Sequence, residues 1–266
     1  MIAPELRHAL TDLGSVLVAY SGGVDSTYLA WAAREVLGSH ARAATADSPS
    51  LPRAELDEAL AVAGEAGFDV EIVRTSEFDN PDYVRNAADR CFWCKEALFD
   101  ELFPLAERLG LGHVALGTVT DDLGDTRPGL ESARRRGARQ PLLEAGLCKD
   151  DVRTAAKHAG LRVWDKPQAA CLSSRIPHGT PVTVEVLRRI EAAEDAVRAH
   201  GFRVVRVRHH GEAANVEVGP DEVPRLREEP LRSQVVEAVA AMGYREVVID
   251  PRGYRRGGAR LPIVAS

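Results

Sequence analysis

Short apolar runs alternate with amphipathic stretches through the first half of the chain. Residues 15–20, Ser-Val-Leu-Val-Ala-Tyr, form a run of strand length that ends in Ser21-Gly22-Gly23. The next stretch carries Leu29, Ala32, Ala33, Val36 and Leu37 at helical spacing, with Gly38 placed to stop it. The pattern repeats with Ala43–Ala46 as a strand, residues 51–66 as a helix closed by Gly67, and Val70–Val73 as a strand. Residues 94–109 hold Leu98, Phe99, Leu102, Phe103, Leu105, Ala106 and Leu109 on a helical period, which Pro104 should kink or divide. His113–Gly117 supplies one more strand. Strands separated by helical segments of about 10–15 residues predict βαβ units and a mostly parallel sheet with helices on both faces, an α/β domain over residues 1–177.

Beyond Pro177-His-Gly-Thr-Pro181 the pattern changes. A charged helix over about 183–199, alternating strands at 203–208 and 214–218, further helices and a strand at Glu246–Ile249 predict a small α+β domain over residues 178–266. No internal repeat or low-complexity segment interrupts this organisation.

The chain has 266 residues, 45% hydrophobic and 28% charged, which excludes disorder as an account of the whole. With 34 basic and 40 acidic residues the net charge is −6, which argues against a broad basic surface tracking a nucleic acid and leaves room for local basic clusters. The start, Met1-Ile-Ala-Pro-Glu-Leu-Arg7, lacks a signal-peptide pattern and the apolar runs are short of a membrane span, so a cytoplasmic enzyme with no membrane partner is expected.

Four cysteines, at 91, 94, 148 and 171, are too few for a disulfide scaffold of this length. The Cys91-Phe-Trp-Cys94 spacing points instead to metal or redox chemistry: a cluster, a zinc site with a further ligand, a redox dithiol, or structural thiols. Cys148 has no partner nearby in sequence and reads as structural.

Ser21-Gly22-Gly23-Val24-Asp25-Ser26 lies between a strand and a helix, where small residues let backbone N–H groups approach an anion at a helix N-terminus. Neither the Walker A ending nor G-x-G-x-x-G occurs there. The segment resembles the S-G-G-x-D-S loop of the PP-loop ATP pyrophosphatases, which cleave ATP between its α and β phosphates and adenylate a substrate. That resemblance implies that Ser21, Gly22, Gly23 and Ser26 hold the pyrophosphate, that Asp25 helps to hold Mg²⁺, and that Gly117-Thr118 makes a second nucleotide contact.

Six further motifs select within that superfamily: Arg90-Cys-Phe-Trp-Cys-Lys95, Gly117-Thr-Val-Thr-Asp-Asp122, Arg127-Pro-Gly129, Trp164-Asp-Lys-Pro167, Cys171-Leu-Ser-Ser-Arg175 and Gly253-Tyr-Arg-Arg-Gly257. Together they resemble the LarE-type pyridinium-3,5-biscarboxylic acid mononucleotide sulfurtransferases over essentially the whole chain. The resemblance implies adenylation of both carboxylates of a pyridinium mononucleotide and their conversion to thiocarboxylates for a nickel-pincer cofactor. AMP is a far better leaving group than a carboxylate oxygen, so adenylation comes before sulfur attack.

Members of the family differ in sulfur source. In one type a sacrificial cysteine lies five residues before the Ser-Arg arginine, a position held here by Ala170. In the other, a Cys-x-x-Cys pair and a cysteine four residues before that arginine bind a 4Fe–4S cluster, and Cys91, Cys94 and Cys171 fit that pattern. Three thiolates leave one iron without a protein ligand, where sulfide can bind and be renewed. Sacrificial donation by Cys171 stays as the alternative source.

Arg206-Val-Arg208 on an alternating strand places both guanidinium groups on one face, suited to phosphate or to a solvated surface. By resemblance Trp93, Lys95, Ser174 and Arg175 contact substrate beside the sulfur source, with Trp93 as a core aromatic the alternative. Glu194 and Glu217 match acidic positions of a metal site between subunits, or are surface acids. His209 and His210, adjacent on a strand, point to opposite faces. The resemblance further implies a homo-oligomer, a hexamer. A tRNA acceptor, which the acidic charge opposes, and a nucleotide-binding sensor are the competing functions.

Overall fold

The structure, a computed structural model, describes residues 2–124, 128–168 and 170–255. Arg127, Arg256 and Gly257 of the sequence motifs lie outside the described residues. The chain divides into two compact units, Met1–Asn80 with Asp89–Ala169, and Pro81–Ala88 with Ala170–Ser266.

The first unit begins with α1 (Pro4–Leu13), β1 (Val16–Ala19), α2 (Val24–Leu37), β2 (Ala41–Asp47), α3 (Arg53–Glu65) and β3 (Val70–Arg74). The chain then contributes one helical turn, α4 (Pro81–Val84), to the second unit. It returns with α5 (Arg90–Arg108), β4 (Val114–Ala115), α6 (Pro128–Arg135), α7 (Pro141–Glu144) and α8 (Lys149–His158). The sheet runs β3-β2-β1-β4 with every pairing parallel, Val16 opposite Ala41 and Leu17 opposite Val114. It is the α/β architecture that the alternation predicts.

Both faces of the sheet are covered, which is why β1 is apolar at every position. Val16, Val18 and Ala43 pack with Leu6 and Leu10 of α1, Tyr28 and Leu29 of α2, and Val152 and Ala156 of α8. On the other face Leu17, Ala19 and Ala44 pack with Phe99, Leu102, Leu105 and Ala106 of α5 and Ala133 of α6.

The largest departures from the sequence expectation are in two elements, while β2 and β5 shift by up to two residues at their ends. Helix α5 starts at Arg90, four residues early, and runs through Pro104 undivided. A helical proline costs about 3 kcal/mol, and burial of Phe99, Leu102, Leu105 and Ala106 at about 1.5–3 kcal/mol per large side chain outweighs that. Strand β4 is shorter than expected, and on its outer side it makes a single parallel bridge to Arg139, the Leu116 N–H donating to the Arg139 carbonyl (2.9 Å) and the Arg139 N–H to the Val114 carbonyl (2.8 Å).

The second unit holds α9 (Val184–Arg198), capped by the Thr183 hydroxyl accepting from the Val186 N–H, then β5 (Val205–His210) and β6 (Ala213–Val218). It continues with α10 (Val223–Leu226), α11 (Leu231–Ala240) and β7 (Glu246–Ile249). β5 and β6 pair antiparallel, and β7 joins β6 in parallel after the helical crossover. Val205, Val207, Ala214, Val216 and Val218 bury against Ala193 and Val197 of α9 and Val235 and Val239 of α11. The 81–88 segment is sewn in by Asn86, whose Nδ2 donates to the Pro177 and Thr180 carbonyls at 2.9 Å each. No helix among the described residues is long and apolar enough to cross a membrane.

Candidate functional site

Strand β1 delivers Ser21-Gly22-Gly23 at its C-terminal end, with β2 on one side of it and β4 on the other. In an open parallel sheet this is the point where strand order reverses and a crevice opens for a ligand. Two glycines make the crevice walls close. Gly22 is left-handed, φ +70°, and a Cβ there would lie 2.6 Å from Cβ of Ala59. A Cβ on Gly117, just beyond β4, would lie 2.8 Å from the Ser26 nitrogen, so the strand end rests directly on the first turn of α2.

The loop is held by its own hydroxyls. Ser26 Oγ accepts from the Ser21 N–H (3.1 Å) and lies 3.1 Å from Ser21 Oγ. Thr27 Oγ1 donates to the Gly23 carbonyl at 2.8 Å. Gly23 caps α2 without a side-chain acceptor, which leaves first-turn N–H groups for an anion.

Asp25, in that first turn, pairs with the ammonium of Lys149 at the start of α8. Its Oδ1 is buried without a hydrogen-bond partner. Burial, outweighing the Lys149 charge, raises the Asp25 carboxyl above its ordinary range. A half-buried carboxylate with one buried oxygen unclaimed fits a divalent cation. The Lys149 N–H donates to Asp121 Oδ2 at 2.8 Å, which ties the 117–122 segment to the same corner. The sequence carried Asp121 within the Gly117–Asp122 motif without a role of its own, and spacing did not mark Lys149, which stands 124 positions from Asp25.

Cys91 and Cys94 lie three residues apart in the first turns of α5 and so share one helix face. Cys91 is exposed and Cys94 half-buried. Between them Trp93 Nε1 donates to Asp89 Oδ2 (3.1 Å), and its ring meets Phe92 edge-on. Lys95 lies against Gly129, where a Cβ would come within 3.1 Å of Lys95 Cγ. Cys171 belongs to the second unit, immediately before the turn Leu172–Arg175. Among the described residues no three His, Cys, Asp or Glu side chains are gathered as a metal site. The Cys148 N–H, at the start of α8, donates to Asp151 Oδ2 at 2.9 Å.

The second unit gathers most of the remaining candidates. Arg175 is 1% exposed and pairs through Nε with Glu194 Oε1 (2.8 Å) and through Nη2 with Oε2 (3.1 Å). Its Nη1 donates to the carbonyls of Ala170 (2.5 Å) and Cys171 (2.8 Å). Glu194 also accepts from Arg198 (2.9 Å) and from the Val207 N–H (3.1 Å). Although burial opposes its ionisation, Arg175 and its neighbours hold the Glu194 carboxyl below the ordinary range. Arg208 donates to Glu217 (3.0 and 3.1 Å) and to the Ser174 carbonyl (3.1 Å). The Glu217 carboxyl is raised, because burial outweighs Arg208. Both carboxylates thus carry arginines, and a metal ion would have to displace these to use them.

Alternation places Arg206 and Arg208 as expected, with Val207 in the core between them. Arg206 differs from its neighbours. Its guanidinium stands over the Tyr254 ring (5.1 Å to the centroid), donates to the Val205 carbonyl, and has no carboxylate in salt-bridge reach among the described residues. Burial, then the Arg175 charge, hold it below its ordinary pKa. An anion arriving there relieves that repulsion. Gly253, with φ +70° and a would-be Cβ 2.8 Å from the Val218 carbonyl, sets the turn that presents Tyr254. The buried pair Asn215–Asp250 (3.3 Å) was not marked in the sequence, where nothing relates residues 35 positions apart.

No model of a protein family matches the chain. Among curated proteins, the uncharacterized protein slr1717 of Synechocystis is 42% identical over 95% of this chain and 94% of its own length. The pyridinium-3,5-bisthiocarboxylic acid mononucleotide synthase of Lactiplantibacillus plantarum is 34% identical over 94% of this chain and 90% of its own. A tRNA(Ile)-lysidine synthase of Salinispora tropica is 31% identical over 75% of this chain and 62% of its own.

Proposed function

Because the chain belongs to the family of pyridinium-3,5-bisthiocarboxylic acid mononucleotide synthases, the LarE-type sulfurtransferases, we propose that it transfers sulfur to the carboxylates of a pyridinium mononucleotide in nickel-pincer cofactor biosynthesis. ATP drives the transfer. A substrate carboxylate oxygen attacks the α-phosphorus of ATP, pyrophosphate leaves, and the acyl-adenylate then loses AMP as sulfur attacks its carbonyl carbon.

The observation that carries this reading is the corner at the C-terminal ends of β1 and β4. There the turn at Gly22 and Gly23, the close seat of Gly117 on α2, and the unclaimed oxygen of Asp25 converge. The first amides of α2 with Ser21 and Ser26 hold the pyrophosphate, and Asp25 holds Mg²⁺, which supplies charge neutralisation on the phosphate oxygens. Lys149, the ion-pair partner of Asp25, is a further cation at this corner.

Ser174, Arg206 and Arg208 bind the nucleotide's phosphate, with Arg206 the guanidinium that no carboxylate among the described residues holds. Trp93 and Lys95 position the pyridinium carboxylate, and Arg175 orients the Cys171 backbone. Cys91, Cys94 and Cys171 would be the thiolates for a 4Fe–4S cluster, three sulfur donors of the type such a cluster takes. Such a cluster would supply sulfide for the attack on the acyl-adenylate. The absence of a cysteine at Ala170, the sacrificial position, supports this source over donation by Cys171.

The test is anaerobic turnover with ATP, sulfide and the pyridinium biscarboxylate nucleotide, with AMP, pyrophosphate and thiocarboxylate measured together. One AMP and one pyrophosphate should appear per thiocarboxylate formed. AMP release that is no faster with the nucleotide than without it would end the proposal.

A further inference from the structure

The segment Trp164-Asp165-Lys166-Pro167 supplies no group to the chemistry above, yet it is firmly held. Arg153 donates to the Trp164 carbonyl at 3.0 Å and to the Lys166 carbonyl at 2.9 Å, and the Lys157 ammonium stands 4.2 Å from the Trp164 ring centroid. This strapping turns the Lys166 side chain inward, where it is 14% exposed.

The ammonium of Lys166 meets three acceptors. Glu55 lies at 2.8 Å and Glu58 at 2.7 Å, neighbours at i and i+3 on α3, and the Gly22 carbonyl lies at 3.5 Å. Helix α3 touches the loop at two further points. Tyr20 OH donates to the Ala59 carbonyl at 2.8 Å, and Ala59 Cβ fills the space that a side chain on Gly22 would need. The wall behind the loop is therefore α3, and Lys166 is the cation at the joint.

Two physical consequences follow from that position. A cation on the Gly22 carbonyl fixes the orientation of the Gly22–Gly23 peptide, so that its N–H faces away from Lys166. Glu55 and Glu58 also place two negative charges behind a loop that receives a polyanion, and Lys166 is the only basic side chain bonded to both among the described residues. Burial opposes the charge on Lys166, but the two carboxylates prevail and hold its pKa above the ordinary lysine value.

We propose that Lys166 is a positioning residue of the pyrophosphate loop: it fixes the Gly22 carbonyl against α3 and offsets the Glu55 and Glu58 charges that would otherwise repel the bound phosphates. This rests on the reading of residues 21–26 as an ATP loop.

Calorimetric titration of MgATP and of magnesium pyrophosphate into the full chain separates the two ideas. The variants are Lys166→Met, Lys166→Arg and the triple Lys166→Met/Glu55→Gln/Glu58→Gln. Lys166→Met should weaken both ligands by about tenfold, the loss of one charge-assisted contact. At saturating ATP the rate of AMP formation should stay within about twofold of the wild type, with the defect in KM, whereas a merely structural role would lower active fraction and leave KM unchanged. Lys166→Arg should recover most of the affinity. The triple variant, which leaves no unpaired acid behind the loop, should bind pyrophosphate better than Lys166→Met and less well than the wild type, and it carries the comparison if Lys166→Met does not fold. Wild-type affinity in Lys166→Met, or in the triple variant should the single one not fold, overturns the role of Lys166 alone. Failure of the wild type to bind either ligand overturns the loop reading, and the role of Lys166 with it.

Discussion

Replacing Glu194 with glutamine tests the buried charge network of the second unit. Both carboxylate oxygens are occupied, Oε1 by Arg175 Nε and the Val207 N–H, Oε2 by Arg175 Nη2 and Arg198. A glutamine matches one side only. Whichever way its amide turns, the NH₂ group faces an arginine donor, and Arg175 keeps its charge with half its partner gone. Neither Glu194 nor Arg175 has exposed surface to let water take over, so the loss is that of a broken buried pair, about 3–5 kcal/mol. Arg198 is one-third exposed, so its share is at the surface scale, below about 1 kcal/mol.

Against a total stability of about 5–15 kcal/mol, that is a large fraction. For a unit of about 100 residues, where 1 kcal/mol moves the melting midpoint by roughly 4–8 °C, the midpoint of Glu194→Gln should fall by more than about 10 °C. Acid provides an internal check. The Glu194 carboxyl is held below its ordinary value, so its contribution is complete above the unfolded glutamate value of about 4.3 and is lost as pH falls through the lower folded value. The gap between wild type and variant should thus be full at neutral pH and close on acidification. Scanning calorimetry across that range reads it directly. A midpoint within about 2 °C of wild type at neutral pH would refute the reasoning, since about 1 kcal/mol already exceeds that shift. A wild-type midpoint raised by divalent cations, absent in the variant, would favour the metal-ligand role that family resemblance implies.

Gly117→Ala should abolish measurable ATP binding while the chain still folds, because the added methyl group would lie 2.8 Å from the Ser26 nitrogen and push α2 away from β4; equilibrium dialysis with labelled ATP checks it, and unchanged affinity would contradict the close seat. Anaerobically prepared wild type should be brown, with about four irons per chain, and Cys91→Ala, Cys94→Ala and Cys171→Ala should each lose the colour and most of the iron. Colourless wild type in which mass spectrometry finds Cys171 converted to dehydroalanine after one turnover would assign the sulfur to that residue instead.

Where the chain's physical signals are local, the sequence predicts the structure well. The apolar run before Ser21, the glycines at 22, 23 and 38, and the helical period from Leu29 each act within a few residues, and β1, the loop and α2 follow from them. The period-2 pattern likewise places Arg206 and Arg208 on one face. The start of α5 was missed because Arg90–Trp93 carry little apolar period, and helicity there extends from a face buried farther along. Pairings between distant residues left no spacing to read: Asp25 with Lys149, Lys166 with Glu55 and Glu58, and Asn86 with Pro177 and Thr180 are products of the fold. Glu194 shows the other limit, since an acid at a given position does not reveal whether a metal or an arginine will claim it.

The Arg175–Glu194 pair also bears on the sulfur chemistry. On stability alone, two well-packed apolar side chains would serve as well or better than a desolvated ion pair. The pair gains something an apolar core cannot supply, because the remaining edge of the Arg175 guanidinium holds the carbonyls of Ala170 and Cys171 together. Two residues on, Ser173 Oγ meets the hydroxyl of Tyr83 at 2.8 Å, which fixes the turn to the 81–88 segment. The backbone carrying Cys171 is therefore clamped on both sides by buried polar groups, although it lies outside any long helix or strand. Cys91 and Cys94 are fixed by a different device, one turn of a helix anchored in its own unit. In the sulfur transfer proposed above, which needs its thiolates at a defined point, the role of this buried arginine is to hold the backbone that carries Cys171.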